Sequence, residues 1–279
     1  MITILEPKKV DKVVLFIHGM QDYRLRYLDF WETLKEQNTM VILPDLNGHG
    51  ENKPHGTIGG IDKQRDELLD LAKKYKQSKV PLILIGHSMG SLYSRYLLMK
   101  EPTLFDAVIL SGTPNYHPSA KVIAPLLDGY AKLFRRRYKQ NIVLNWGIIK
   151  QFNMKVKNPR TTHDWLSFDQ ANVDSFLNNP YCKFKFSNDG FVDLFKLLIE
   201  VNKKGKKSSS TPVYFLTGKH DPCNNGNIDK AIQVLKSYGH PVKCEWYLNS
   251  RHEILFDLDK EMVKQDIIEI LDSIKNDFS

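Results

Sequence analysis

The sequence predicts an α/β fold, a mostly parallel sheet carrying helices on both faces. Two patterns carry that expectation. Six short apolar runs are nearly continuous rather than alternating, as strands buried on both faces require. Between them lie stretches with apolar residues at three-to-four spacing that stop near Gly, Pro or Asn, as helices do. Strands that alternate with helices imply parallel strands joined by right-handed crossovers.

The first apolar run is "VDKVVLFIH" at 10–18, rich in β-branched residues, and the second is "TMVILPD" at 39–45, ending in a loop of Asn, Gly and His. "PLILIG" at 81–86 and "FDAVILSG" at 105–112 are the third and fourth; "TPVYFLTG" at 211–218 and "KCEWYLN" at 243–249 are the fifth and sixth. The helical patterns between and after them are "RYLDFWETLKEQ", "DKQRDELLDLAKKYKQ", "GSLYSRYLLMKEP", "NIDKAIQVLKSYG" and the terminal "DKEMVKQDIIEILDSIKND". The rhythm breaks between about Thr113 and Asn188, where amphipathic helices and loops replace buried strands. Residues 114–187 are therefore expected to form a helical insertion between two core halves, 1–113 and 188–279. Lys203–Ser210, "KKGKKSSS", reads as a solvated loop between the helix "GFVDLFKLLIEVN" and the fifth strand.

Composition narrows the class. With 42% hydrophobic and 26% charged residues over 279 positions, the chain suits one soluble domain with a sizeable core, and neither disorder nor membrane spanning fits. The opening "MITILEPKKVDKVVLFIHG" lacks the pattern of a secretory leader, so a cytoplasmic location is expected. Cys182, Cys223 and Cys244 are too scattered for a disulfide framework or a zinc site and read as reduced thiols. A net charge of +8 attracts polyanions. No nucleic-acid partner is expected, however, since no DNA- or RNA-binding motif accompanies the charge and "RRR" at 135–137 has no aromatic stacking platform beside it.

Chemistry enters at Gly86-His87-Ser88-Met89-Gly90, a Gly-x-Ser-x-Gly motif with a strand before it and a helix after it. Small residues on either side tolerate a tight, strained turn that displays the serine hydroxyl at the carboxyl end of the sheet. That hydroxyl needs a base. His252, in "YLNSRHEILFD" after the last strand, follows every strand and is the candidate. The base in turn needs a carboxylate to hold its tautomer, and Asp221 in "FLTGKHDPCNN" follows the fifth strand directly. Asp45 and Asp257 are weaker candidates, one preceding the serine and the other following the histidine. Donors for a developing oxyanion are expected from the backbone amides of Met20 and Met89. Taken singly, His252 could be a surface or capping histidine, Asp221 a turn residue and His18-Gly19 a plain turn. It is the set, in the order Ser, Asp, His, that points to acyl transfer by an α/β-hydrolase.

The segments "FIHGMQDYRLRYLDF", "PDLNGHGEN", "LIGHSMGSLYSRYLL", "LTGKHDPCN" and "SRHEILFD" together resemble the monoacylglycerol lipase and lysophospholipase group of α/β-hydrolases, the serine aminopeptidase-like hydrolases. "DWLSFDQANVDSFLNNPYC" resembles that group's passage out of its cap. The resemblance implies the α/β-hydrolase fold with a helical cap, Ser88 as nucleophile, Asp221 as acid, His252 as base, and the Met20 and Met89 amides as oxyanion hole. Asn47 stands where an arginine is frequent in the group, in a loop outside the chemistry, and the cap from Pro114 to about Tyr181 matches poorly.

Such a triad hydrolyses an ester, thioester or amide through an acyl-enzyme, with no metal and no cofactor. The expected substrate is a single-chain acyl ester of the monoacylglycerol or lysophospholipid kind. The alternatives are short non-lipid acyl substrates, or a non-catalytic binding module on the same scaffold. Ile123, Leu126, Leu127, Leu133, Phe134, Ile142, Val143, Leu144, Trp146, Ile148, Ile149 and Phe152 make the insertion apolar enough for an acyl tunnel or for packing onto the core. Lys121, Lys132, Arg135, Arg136, Arg137, Lys139, Lys150, Lys155, Lys157 and Arg160 make it basic. Two readings follow: a cap resting on anionic lipid at the inner membrane face, or a solvated basic face.

Overall fold

The computed structural model describes residues 1–206 and 209–274. The loop expected at 203–210 and the terminal helix expected through Asp277 run into positions 207–208 and 275–279, which lie outside the described residues.

The β-branched runs become strands of one sheet. These are β1 (Ile2–Leu5), β2 (Lys12–Ile17), β3 (Thr39–Pro44), β4 (Leu82–His87), β5 (Ala107–Ser111), β6 (Val213–Gly218) and β7 (Val242–Tyr247), ordered β1-β3-β2-β4-β5-β6-β7. The six expected runs are β2 to β7, all paired in parallel. β1 is an addition. Its four residues, ITIL, are too few to register as a buried run, and they pair antiparallel with β3 at the sheet edge.

The helices are α1 (Leu28–Glu36), α2 (Ile61–Tyr75), α3 (Met89–Lys100), α4 (Ala120–Leu133), α5 (Ile142–Asn153), α6 (Gln170–Asn178), α7 (Asn188–Glu200), α8 (Asp229–Ser237) and α9 (Lys260–Ser273). Successive strand side chains point to opposite faces, so β2 feeds two cores. Val13, Leu15 and Ile17 join Leu68 of α2, Leu92 of α3, Leu197 of α7 and Leu235 of α8. Val14 and Phe16 join Trp31 of α1 and Val263 and Ile267 of α9. This is the α/β-hydrolase arrangement, with both faces of the sheet covered.

Between β5 and β6 the chain leaves the sheet for α4, α5, a short 3-10 turn at Asp164–Leu166 and α6, before α7 returns to it. Side-chain caps fix the starts of α5, α6 and α7: Asn141 accepts from the Leu144 amide, Asp169 from Ala171 and Ser187 from Gly190. The buried Asn145 amide exchanges hydrogen bonds of 2.9 and 3.0 Å with the Phe186 backbone and so ties α5 to the segment entering α7.

Half of the apolar residues expected in the insertion neither line a closed tunnel nor pack onto the core. Leu126, Leu133, Phe134, Ile142, Val143 and Trp146 are exposed, together with Val122, Tyr130, Tyr138 and Met154. On α4 the exposed positions 122, 126, 130 and 133 recur at helical spacing, which makes one continuous apolar face directed at solvent. Among the described residues, no helix is long and apolar enough to cross a membrane.

Candidate active site

β4 ends at His87 and α3 begins at Met89, leaving Ser88 on the turn with φ 54° and ψ −117°, strained backbone for a residue with a Cβ. The flanking glycines make the turn feasible for different reasons. A Cβ on Gly90 would lie closer than 3.0 Å to the Ile17 carbonyl oxygen of neighbouring β2, and one on Gly86 equally close to the Gly90 carbonyl. Ser88 is left half-buried at the carboxyl end of the sheet.

His252 lies on the loop after β7 and Asp221 on the loop after β6. His252 Nε2 is 2.9 Å from Ser88 Oγ, and His252 Nδ1 is 3.0 Å from Asp221 Oδ2. Because the carboxylate can only accept, Nδ1 carries the proton and Nε2 offers its lone pair to the serine hydroxyl. Asp221 is itself oriented, accepting from Asn224 Nδ2 at 3.1 Å and from the Cys223 amide at 2.8 Å. Burial pushes the His252 imidazole towards neutrality, but the Asp221 charge and hydrogen bond outweigh it and hold its pKa above the ordinary histidine value.

The amides expected as oxyanion donors flank this serine. Met89 opens α3, and a Cβ on Gly19 would sit 3.2 Å from Ser88 Cβ, so the chain carrying Met20 runs beside Ser88. Among the described residues neither amide donates a hydrogen bond. His18 orients the first of them. Its Nε2 accepts from the Leu46 amide at 3.0 Å, so its Nδ1–H donates to the Gly19 carbonyl at 2.8 Å. Burial lowers the His18 pKa and keeps the ring neutral for that role. Since the peptide is planar and trans, fixing the Gly19 carbonyl turns the Met20 N–H to the opposite side.

The weaker carboxylate candidates are employed elsewhere. Asp45 pairs with the Arg24 guanidinium and accepts the Arg24 amide at 2.8 Å. Asp257, fully buried, accepts from the amides of Arg251 (2.7 Å), Phe168 (2.8 Å), Leu258 (2.9 Å) and Asp169 (3.3 Å). It thereby joins the His252 loop to the segment after the 3-10 turn. Arg251 strengthens the joint by donating to the carbonyls of Asp164 (2.6 Å) and Ser167 (2.9 Å), and the Glu253 amide donates to Leu166 at 2.8 Å.

Three neighbours of His252 were not singled out for the site by sequence. Trp165 packs on its ring with centroids 5.2 Å apart, and His87 does so at 5.0 Å. Burial, then the His252 charge, lower the His87 pKa to about 3, so it stays neutral. The Cys223 thiol lies 3.9 Å from His252 Nε2, and Asp221, Cys223 and His252 are the described residues whose side chains could together ligate a metal. A thiol two positions beyond the acid was the one available signal for it.

The chain and its fold have relatives. A model of the family "serine aminopeptidase, S33" matches residues 8–259. The chain belongs to this hydrolase family. Within curated relatives, 111 residues are 29% identical to a probable alcohol acetyltransferase of Cyberlindnera fabianii, over 39% of this chain and 29% of that protein. A match over 132 residues is 31% identical to the monoglyceride lipase of Rattus norvegicus, over 44% of this chain and 43% of that enzyme. The matched region thus spans less than half the length of either relative. The fold also matches a thermostable carboxyl esterase of Bacillus coagulans, with a TM-score of 0.87 at 24% identity over 98% of this chain and 93% of that one.

Proposed function

We propose that this chain is a serine hydrolase that cleaves carboxylic esters through an acyl-enzyme, with monoacylglycerol- or lysophospholipid-like single-chain esters as substrates. The observation that carries the reading is the unbroken relay from Asp221 through His252 to Ser88, with links of 3.0 and 2.9 Å. Ser88 Oγ attacks the ester carbonyl while His252 Nε2 takes its proton and Asp221 stabilises the imidazolium. The Met20 and Met89 amides receive the oxyanion; collapse expels the alcohol, protonated by His252, and water then repeats the sequence on the acyl-enzyme. Residues 114–187 act as a cap between the core halves 1–113 and 188–279.

The exposed apolar face of α4 supports a cap that rests on lipid. On α4 and the chain that follows it, Lys121, Arg135, Arg136 and Lys139 have no ion pair among the described residues, whereas Arg137 is held by Asp189 and Lys132 by Asp128. Apolar side chains inserting between headgroups, with unpaired cations around them, suit an anionic surface. In this reading the enzyme works in the cytoplasm, peripheral to the inner membrane face.

Hydrolysis of p-nitrophenyl esters from short to long acyl, with wild type and Ser88→Ala in parallel, tests the chemistry. Turnover should fall by about four orders of magnitude or more in the variant. A folded Ser88→Ala protein of undiminished activity overturns the assignment. Co-sedimentation with vesicles tests the cap: equal binding to neutral and anionic vesicles at low salt removes the lipid contact. A second reading, transfer of the acyl group to an alcohol, is favoured by the acetyltransferase relative, and ester formation from added ethanol distinguishes it from hydrolysis.

A further inference from the structure

Three potential metal-ligating side chains converge where the hydrolase reading needs only two of them. The donor atoms of Asp221, Cys223 and His252 lie within 4.8 Å of one another, and Cys223 Sγ is 3.9 Å from the same His252 nitrogen that faces Ser88. We propose that Cys223 and His252 form an inhibitory site for a thiophilic divalent cation such as Zn²⁺. The ligand set stands on geometry alone; its inhibitory consequence rests on the hydrolase reading.

Asp221 is not a ligand in this site. Both of its oxygens are committed, Oδ2 to His252 Nδ1 and Asn224, Oδ1 to the Cys223 amide. It instead fills the role that a carboxylate commonly takes behind a metal-bound histidine, holding Nδ1–H so that the Nε2 lone pair points outward. The arrangement that readies Nε2 for the serine proton therefore also readies it for a cation. Zinc–sulfur and zinc–nitrogen bonds of about 2.3 and 2.0–2.1 Å sum to about 4.4 Å, longer than the observed separation, so one ion reaches both atoms with a bent angle. Ser88 Oγ, 2.9 Å from that nitrogen, and water complete a tetrahedral set.

Charge favours the same occupant. Without metal the Cys223 thiol stands 3.9 Å from His252 Nε2. It does not compete with Ser88, whose oxygen is nearer to the base. A dication changes the balance: the sulfur–metal bond forms as the S–H bond breaks and the proton leaves to solvent. The resulting thiolate and the Asp221 carboxylate together offset the two positive charges. Thiolate with imidazole selects soft or borderline ions such as Zn²⁺ and Cd²⁺ over Mg²⁺ and Ca²⁺. Once the metal holds the Nε2 lone pair, that nitrogen cannot accept the Ser88 proton.

The test is p-nitrophenyl ester hydrolysis by the full chain under ZnCl₂ titration, with MgCl₂ as control and EDTA for reversal, on wild type and Cys223→Ser. Serine keeps the side-chain size and a hydroxyl donor but is a poor ligand at neutral pH. Expected is EDTA-reversible inhibition of wild type by zinc alone, with each protein's inhibition referred to its own metal-free rate. The half-inhibitory zinc concentration should rise at least about 100-fold in Cys223→Ser, since even an outer partner of a metal ligand is worth 10–100-fold in affinity. Equal zinc sensitivity of the two proteins overturns the proposal. A second readout needs no turnover: CdCl₂ added to wild type should produce an ultraviolet thiolate-to-cadmium band, at one equivalent, that Cys223→Ser lacks while retaining Cys182 and Cys244. No difference in that band removes the metal site even if the enzyme is active. A normal difference without Ser88-dependent turnover leaves the site standing and removes the hydrolase reading.

Discussion

Replacing Asp257 with alanine should loosen His252 without touching it. The carboxylate accepts four backbone amides, and they differ in what they lose. Leu258 is 62% exposed and its amide can turn to water, and the Asp169 bond is long at 3.3 Å. The Arg251 and Phe168 amides, at 2.7 and 2.8 Å in half-buried positions, have no ready substitute. An unsatisfied buried donor costs about 1–3 kcal/mol, and relief from burying a charge returns part of this, so a net loss of about 3 kcal/mol is expected. Arg251 immediately precedes His252, and a displacement of about 1 Å in a catalytic group can cost 100-fold, so kcat should fall by about 10- to 100-fold. Urea unfolding reads the first quantity and steady-state kinetics on a soluble ester the second. A loss under about 1 kcal/mol together with wild-type kcat would refute the role of Asp257 as the joint between the His252 loop and the segment at Phe168–Asp169.

The acid limb of kcat/KM should have its midpoint above the ordinary histidine value of about 6.5, because His252 must be neutral to act and Asp221 favours its protonated form. Asp221→Asn removes that bias, so the limb should move to lower pH while the rate falls by about four orders; an unmoved limb would assign it to another group. Burial raises the Asp193 pKa to about 6 from 3.8, so between those values the folded state keeps a proton that the unfolded chain has released. Stability from this group is present below the lower value and lost as pH rises through the upper. Asp193→Asn, which keeps an acceptor for the Gly60 amide, should therefore unfold later than wild type at pH 8, by on the order of 2 kcal/mol, with the gap closing towards pH 4. Gly90→Ala should yield little folded protein, because its Cβ meets the β2 backbone. Gly129→Ala, in α4 with nothing within 4 Å of the new atom, should raise stability by about 0.5–1 kcal/mol; thermal melts of both compare the two.

Much of this molecule could be read from local pattern. The runs at 81–86 and 105–112 became β4 and β5 because continuous apolar strands have no other satisfactory place than a sheet covered on both faces. The Gly-x-Ser-x-Gly turn was legible because its steric demand lies within five residues, although the carbonyl that forbids a side chain at Gly90 belongs to Ile17, far away in sequence. β1 escaped notice because four residues with mixed exposure carry too little periodicity. The insertion was legible as helical and apolar, but its pattern does not say which apolar face is covered, and the exposed one on α4 emerged only when the partners of the other faces were known.

By itself the sequence determined the order of the six parallel strands, the α/β class and a ranked set of candidate groups, because each depends on pattern within a few residues. Tertiary structure decided which groups meet. It set Asp221 against His252 while giving Asp45 to Arg24 and Asp257 to the loop joint, and it brought Cys223, Trp165 and His87 around one imidazole. Three carboxylates with similar local surroundings in the chain acquired three different roles. The reason is physical: a carboxylate's role is fixed by the donors that fold closure brings within about 3 Å, and those come from distant parts of the chain.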